Sequence, residues 1–255
     1  MSVALADLVA YLNQSLDISA FDDYGPNGLQ VEGRPTVARL ATGVTASQAL
    51  VDAAIEWGAD AILVHHGYFW RNEDSRIVGM KRRRIGALLG ADVSLLGYHL
   101  PLDAHPTWGN NARLADLLEL PTEGREALPA SAGAVVGNVV SLPQPIVAAE
   151  FVKRLETLTG RASLHVGDPE AEVSRIAWCT GGAQGYIEAA LAAGADLYLT
   201  GEVSEQTVHV AREEGMHFVA AGHHATERYG AQAVGEHVAE KFSLEHRFID
   251  IDNPA

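Results

Sequence analysis

Two stretches of the chain carry the same order of signals: a short apolar run, a helical stretch, the tripeptide Gly-Ala-Asp and a second apolar run. The first is Leu40 to Val44, a helix from about Ser47 to Trp57, Gly58-Ala59-Asp60 and Ala61 to Val64. The second is Ile176 to Cys179, a helix reaching Ala193, Gly194-Ala195-Asp196 and Leu197 to Thr200. Strand, helix, strand in succession predicts an α/β fold. Slid by 136 positions without gaps, Gln48, Ala53, Ala54, Gly58, Ala59 and Asp60 meet Gln184, Ala189, Ala190, Gly194, Ala195 and Asp196, which points to an internal duplication. A second correspondence runs at an offset of 124: Leu95 to Asp103 (LLGYHLPLD) against Val219 to Glu227 (VAAGHHATE), so that His99 meets His223 and Asp103 meets Glu227. Between the two blocks this requires an indel of twelve residues.

The expected organisation is therefore two related, interlocked α/β lobes, over residues 1–124 and 171–255, with a small subdomain at 125–170 between them. Pro121 to Gly137 is a weakly patterned stretch rich in Pro, Gly, Ala and Ser. Asn138 to Leu142 comes next, a helix follows Pro145, and a strand lies around Ala162 to Val166. Thr226 to Phe242 is helical in pattern and His246 to Ile251 reads as a closing strand.

Composition narrows the function. The 255 residues are 47% hydrophobic and 20% charged, an ordinary globular balance with enough chain to bury a large core. A formal net charge of −15 disfavours binding to a nucleic-acid backbone, which depends on Lys and Arg. The one cysteine, Cys179, excludes an intramolecular disulfide and a thiolate-rich zinc cluster, leaving imidazole and carboxylate as metal ligands. It also suits a reducing compartment. The N-terminal stretch MSVALADLVAYLNQSL carries Asp7 within its apolar residues and no basic residue ahead of them, so it reads as an amphipathic helix and not as a signal peptide. No apolar run approaches the roughly 20 residues that span a bilayer, so cytoplasm and no membrane partner are expected.

Three segments concentrate His and acid at the ends of apolar runs, where open α/β sheets place their ligand sites. His65-His66 follows Ala61 to Val64 and precedes Gly67, a turn that lets two imidazoles serve two targets. His99 and Asp103 follow Val93 to Leu96, and Pro101 between them predicts a loop in place of a regular helix. Asp103 has two oxygens with which to bridge two cations about 3.5 to 4 Å apart. His223 and Glu227 are four residues apart at the mouth of the next helix, on one face of its first turn. Together His65, His66, Asp103, His223 and Glu227 make five ligands, more than an open mononuclear zinc site uses, and so predict two divalent ions drawn from Zn, Mn, Fe, Co or Ni. His105, His165, His209, His217, His237 and His246 are read as surface or packing residues. The basic run Lys81-Arg82-Arg83-Arg84, between two metal segments, offers Lys81 and Arg82 as phosphate-binding residues.

Five motifs carry a resemblance: DYGPNGLQVEG (Asp23 to Gly33), ILVHHGYFW (Ile62 to Trp70), YHLPLDAHPTWGNN (Tyr98 to Asn111), TGE (Thr200 to Glu202) and GHHATERYG (Gly222 to Gly230). The chain resembles, over essentially its whole length, the YbgI family, also described as GTP cyclohydrolase I type 2 homologues or NGG-interacting-factor-three-like proteins. The resemblance implies two related α/β lobes, a dinuclear metal site between them and a ring-shaped homohexamer. Its ligand pattern falls on His65, His66, Asp103, His223 and Glu227. His99 lies outside that pattern and is expected to act beside the metals, supporting a ligand or transferring a proton. The expected activity is metal-dependent hydrolysis of a nucleotide or other phosphate-containing small molecule, in the manner of a GTP cyclohydrolase. The contrasting expectation is a non-catalytic metal-storage, metal-delivery or regulatory scaffold protein.

Overall fold

The structure is a computed structural model that describes residues 1–128 and 136–255. In chain order it runs β1 (Val3–Ala4), α1 (Leu5–Ser15), β2 (Gly28–Val31), β3 (Thr36–Val37), β4 (Arg39–Thr45), α2 (Gln48–Trp57), β5 (Ala61–His66), α3 (Gly79–Ala91) and β6 (Ser94–Gly97). There follow α4 (Leu100–Ala104), α5 (Asn110–Leu117), β7 (Glu126–Leu128), β8 (Gly137–Val147), α6 (Ala148–Thr159), β9 (Leu164–Val166) and β10 (Glu172–Trp178). The last elements are α7 (Ile187–Ala192), β11 (Leu197–Thr200), α8 (Glu205–Glu214), β12 (His217–Ala220), α9 (His223–Thr226), α10 (Arg228–Phe242) and β13 (Glu245–Phe248). Part of the weakly patterned stretch expected at 121–137 lies outside the described residues.

These elements form two compact units, and the expected boundaries at 124 and 170 are not theirs. Unit 1 is Met1–Gly109 with Arg228–Asp252, and unit 2 is Asn110–Glu227 with Asn253–Ala255. Among the described residues the stretch expected as an intervening subdomain at 125–170 belongs to unit 2, where β8 pairs with β10 and β9 pairs with β12. The C-terminal helix α10 and β13 return to unit 1, where β13 pairs in parallel with β4.

Unit 1 has the sheet order β13-β4-β5-β6-β2, with β4, β5 and β6 parallel and β2 antiparallel on the edge. Both faces are covered. Leu40, Ala61, Leu63 and Leu96 pack with Leu5, Leu8 and Leu12 of α1 and Ala231, Val234 and Val238 of α10. Ala41, Ile62, Val64 and Leu95 pack with Leu50, Val51 and Ala54 of α2 and Ile85 and Leu88 of α3. The near-continuous apolar runs of these strands are what a parallel sheet buried on both sides requires. One helix comes unusually close: a Cβ on Gly235 of α10 would collide with His246 and with Thr42 Cγ2, and the two latter side chains share a 2.8 Å hydrogen bond.

Unit 2 has the order β7-β8-β10-β11-β12-β9, with β10, β11 and β12 parallel. Its registers repeat those of unit 1. Leu40↔Ala61 of β4 and β5 becomes Ile176↔Leu197 of β10 and β11, a shift of 136 on both strands. Ala61↔Ser94 becomes Leu197↔His217, and Leu29↔Leu96 becomes His165↔Val219, so the third strand is shifted by 123. The difference, 136 against 123, is thirteen residues, one more than the side-chain match predicts. By this register the counterpart of His99 is Gly222 and that of Asp103 is Thr226, which corrects the expected pairing with His223 and Glu227. The backbone bonds agree: Asp103 N–H donates to His99 O, and Thr226 N–H to Gly222 O, each at 3.1 Å.

Candidate metal centre

Unit 1 carries His65, His66, His99 and Asp103, and unit 2 carries His223 and Glu227. β5 runs two residues further than its apolar run, so His65 and His66 are its last two positions. Alternation along the strand sends His65 to the side of Ala61 and Leu63, facing α1 and α10, and His66 to the side of Ile62 and Val64. His65 is 1% exposed and its Nδ1 lies 3.0 Å from the carbonyl oxygen of Tyr98. A carbonyl only accepts, so Nδ1 holds the proton and the ring lone pair sits on Nε2. His65 Nε2 lies 3.5 Å from Asp103 Oδ1. The Nδ1 of His66 is bonded to Thr45 Oγ1 at 3.1 Å.

The segment expected as a loop around Pro101 is the one-turn helix α4, with Pro101 in its first turn. Proline is tolerated there because its missing N–H would have no partner inside the helix. Asp103, on this turn, is buried. His99 stands just before the helix, held by a network the histidine pattern does not reveal. Its Nδ1 donates to Asp23 Oδ1 at 2.7 Å, its backbone N–H donates to Asn27 Oδ1, and Asp23 Oδ2 accepts from Asn27 Nδ2 and Leu100 N–H. The Asp23 side chain is 2% exposed. Burial alone would raise its pKa, yet the bonds from His99, Asn27 and Leu100 and the nearby imidazole leave it below the usual carboxylate range. Ring nitrogens of His65, His66 and His99 lie within 4.8 Å of one another and could hold a metal ion. The edge of Trp70 meets His99 with ring centroids 5.0 Å apart.

In unit 2, His223 opens α9 and Glu227 ends it, and the four-residue spacing does bring them to one face: His223 Nε2 lies 3.2 Å from Glu227 Oε2. The Nδ1 of His223 is 2.7 Å from Glu202 Oε1, and Gln184 Nε2 donates to Glu202 Oε2 at 3.1 Å. Burial would depress the His223 pKa, but the bonds and charges of Glu227 and Glu202 prevail and push it up to about 9. The room beside these groups depends on Gly181, at φ +72°, where a Cβ would run into the Glu227 carboxylate.

The donors suit a divalent transition ion. They are imidazole and buried carboxylate, and His65, His99 and His223 each commit Nδ1 to an oxygen acceptor, the outer hydrogen bond that orients metal-bound histidines. Asp23 and Glu202 escaped the sequence reading although both lie in recognised motifs; each is an acid whose histidine partner is distant in sequence. Lys81 is placed differently from the expected phosphate role. Its side chain is 11% exposed, pairs with Glu73 at 3.3 Å and donates to the Asp74 carbonyl at 3.0 Å, so it ties down the segment before α3. Arg82 is exposed on α3. Five other histidines have packing partners: His105 and His237 stack on Trp108, His165 bonds His217, and His246 bonds Thr42. His209 is surface-exposed beside Glu205.

Comparison with known proteins agrees with this architecture. The family model Duf34/NIF3 (NGG1p interacting factor 3) matches residues 3–254. A Pseudomonas aeruginosa protein named GTP cyclohydrolase 1 type 2 homolog is 56% identical over 255 residues, covering 100% of both chains. A solved structure described as protein ybgI, of unknown function, superposes with a TM-score of 0.91 at 50% identity, covering 99% of this chain and 100% of that one. The crystal structure of TTHA1606 from Thermus thermophilus gives a TM-score of 0.86 at 33% identity over 99% of this chain and 100% of that one. With nearly its full length matched by the family model and by relatives of this identity, the chain belongs to the Duf34/NIF3 family.

Proposed function

We propose that the protein binds two divalent metal ions through His65, His66, Asp103, His223 and Glu227, and that it hydrolyses a nucleotide or another phosphate-containing small molecule. The observation that carries the reading is the set of strand-end imidazoles anchored through Nδ1 beside the buried carboxylates Asp103 and Glu227. Five donors exceed the need of a single open site. When bound, a pair of such ions supplies Lewis acidity and makes a water nucleophilic near neutral pH. Asp103 and Glu227 would offset the charge of the ions, and the anchored imidazoles would fix their places without reorganisation. His99, aimed by Asp23, stands beside the donors to orient or to exchange a proton with the substrate. Arg82, exposed on α3, is the residue of the basic run proposed to meet phosphate.

Relatives named GTP cyclohydrolase 1 type 2 homolog support a hydrolytic ring opening of a guanine nucleotide as the first reaction to assay. The common registers of the two units support origin by duplication, and the family resemblance supports a homohexameric ring in the cytoplasm. The test is turnover of GTP, other nucleotides and phosphoesters by protein loaded in turn with Zn, Mn, Fe, Co or Ni. Asp103→Asn should lower kcat roughly 100-fold or more, since several kcal/mol of charge stabilisation depend on the ions. Unchanged turnover in this variant would exclude the two-metal mechanism.

A further inference from the structure

Glu202 is a carboxylate with nothing to do in the five-donor set, yet it holds His223 Nδ1 at 2.7 Å. It lies two residues past Thr200, the last residue of β11, just as His66 lies two residues past Val64 of β5 at the shift of 136. The backbone bonds that follow the two strands match: Tyr98 N–H to Val64 O at 3.0 Å and Ala221 N–H to Thr200 O at 2.9 Å. One unit therefore presents an imidazole at this place and the other a carboxylate.

Both oxygens of that carboxylate are engaged. Oε1 takes the Nδ1 proton of His223 at 2.7 Å and Oε2 takes an amide proton from Gln184 at 3.1 Å. Gln184 is itself fixed, since its backbone carbonyl accepts from Thr207 Oγ1, near the start of α8. The Glu202 side chain is 43% exposed, so as an ion pair in water it adds little to stability. Its geometry does more: an acceptor at Nδ1 fixes the ring and turns Nε2, the nitrogen left for a metal ion, to the side where Glu227 stands 3.2 Å away. Asp23 makes the same contact to His99 in unit 1, at the same 2.7 Å.

We propose that Glu202, braced by Gln184, is a positioning residue that presents His223 Nε2 to a divalent metal ion. The inference rests on the metal-binding reading given above. It is tested by zinc affinity, measured by competition with a chromogenic chelator, on wild-type protein and on Glu202→Ala, Glu202→Gln and Gln184→Ala, with urea unfolding of each. Glu202→Ala should bind zinc about 10- to 100-fold more weakly while its unfolding midpoint stays that of the wild type. Glu202→Gln keeps an oxygen for the Nδ1 proton and should recover most of the loss. Gln184→Ala should give a smaller loss in the same direction, and it decides the matter should Glu202→Ala not fold. Affinity of Glu202→Ala within about twofold of wild type, or a Gln variant as weak as the Ala variant, would overturn the positioning role. A wild-type protein that takes no zinc would instead overturn the metal-binding reading, and the inference with it.

Discussion

At the scale of the residue, the histidines divide by what their Nδ1 atoms touch. His65, His99 and His223 each give that proton to an oxygen fixed by the fold, while His237 and His246 spend a ring nitrogen on Tyr11 and Thr42 within packed surroundings. For His223 this has a consequence in pH. Metal-free, it is held protonated up to about 9 by Glu227 and Glu202, against the opposing effect of burial. A metal ion must displace a proton to reach Nε2, so affinity should rise as pH climbs toward 9, and binding at pH 7 should release close to one proton from this residue. Calorimetric titration in buffers of different ionisation enthalpy counts the protons. Binding without proton release would contradict the assignment of His223 as a ligand.

At the scale of the element, the Gly-Ala-Asp repeat was legible because each residue has a fixed duty. Gly58 and Gly194 end α2 and follow α7 in the left-handed region, at φ +80° and +71°, where glycine is unstrained. Ala59 and Ala195 are buried, and their N–H groups close the helix ends on Ala54 and Ala190. Asp60 Oδ2 accepts from Ala38 and Arg39 N–H, and Asp196 Oδ2 accepts from Ser174 and Arg175 N–H, stitching each strand to its neighbour. Burial would raise the Asp196 pKa, but the bonds from Ser174 and Arg175 win and lower it. A carboxyl depressed in the folded state stabilises above its unfolded pKa, and that contribution is lost as pH falls through the folded value. Asp196→Asn should therefore be less stable than wild type in urea at pH 7, by only about 0.5 to 1 kcal/mol because solvent screens this half-exposed carboxylate, with the difference shrinking below pH 4. A gap that stays undiminished down to the lowest pH at which the protein folds would show that the charge is not what matters. Elsewhere, Gly235→Ala should cost about 1 to 3 kcal/mol in the same assay, because a methyl group there meets His246 and Thr42 between α10 and β4; an unchanged midpoint would mean that α10 is free to shift.

At the scale of the molecule, the sequence pattern yields the α/β class, the repeated order of elements and the place of His65 and His66 at the end of β5. It misses what depends on the path of the chain. Asp23 and Glu202 meet their histidines across 76 and 21 residues, a pairing that no local periodicity encodes. The one-residue error in the second repeat arose because matching His and acid side chains ignores hydrogen-bond register, which pairs His99 with Gly222. Helix α10 and β13 extend the second half of the sequence yet complete the sheet of unit 1, so a boundary drawn along the sequence could not capture either unit.

The central claim is a centre for two metals, and metal stoichiometry tests it most directly. Protein stripped with chelator, reloaded with zinc or manganese and freed of excess ion should retain two ions per chain by elemental analysis and native mass spectrometry, and Asp103→Asn should retain fewer. One ion per chain, or none, in the wild-type protein would contradict the account.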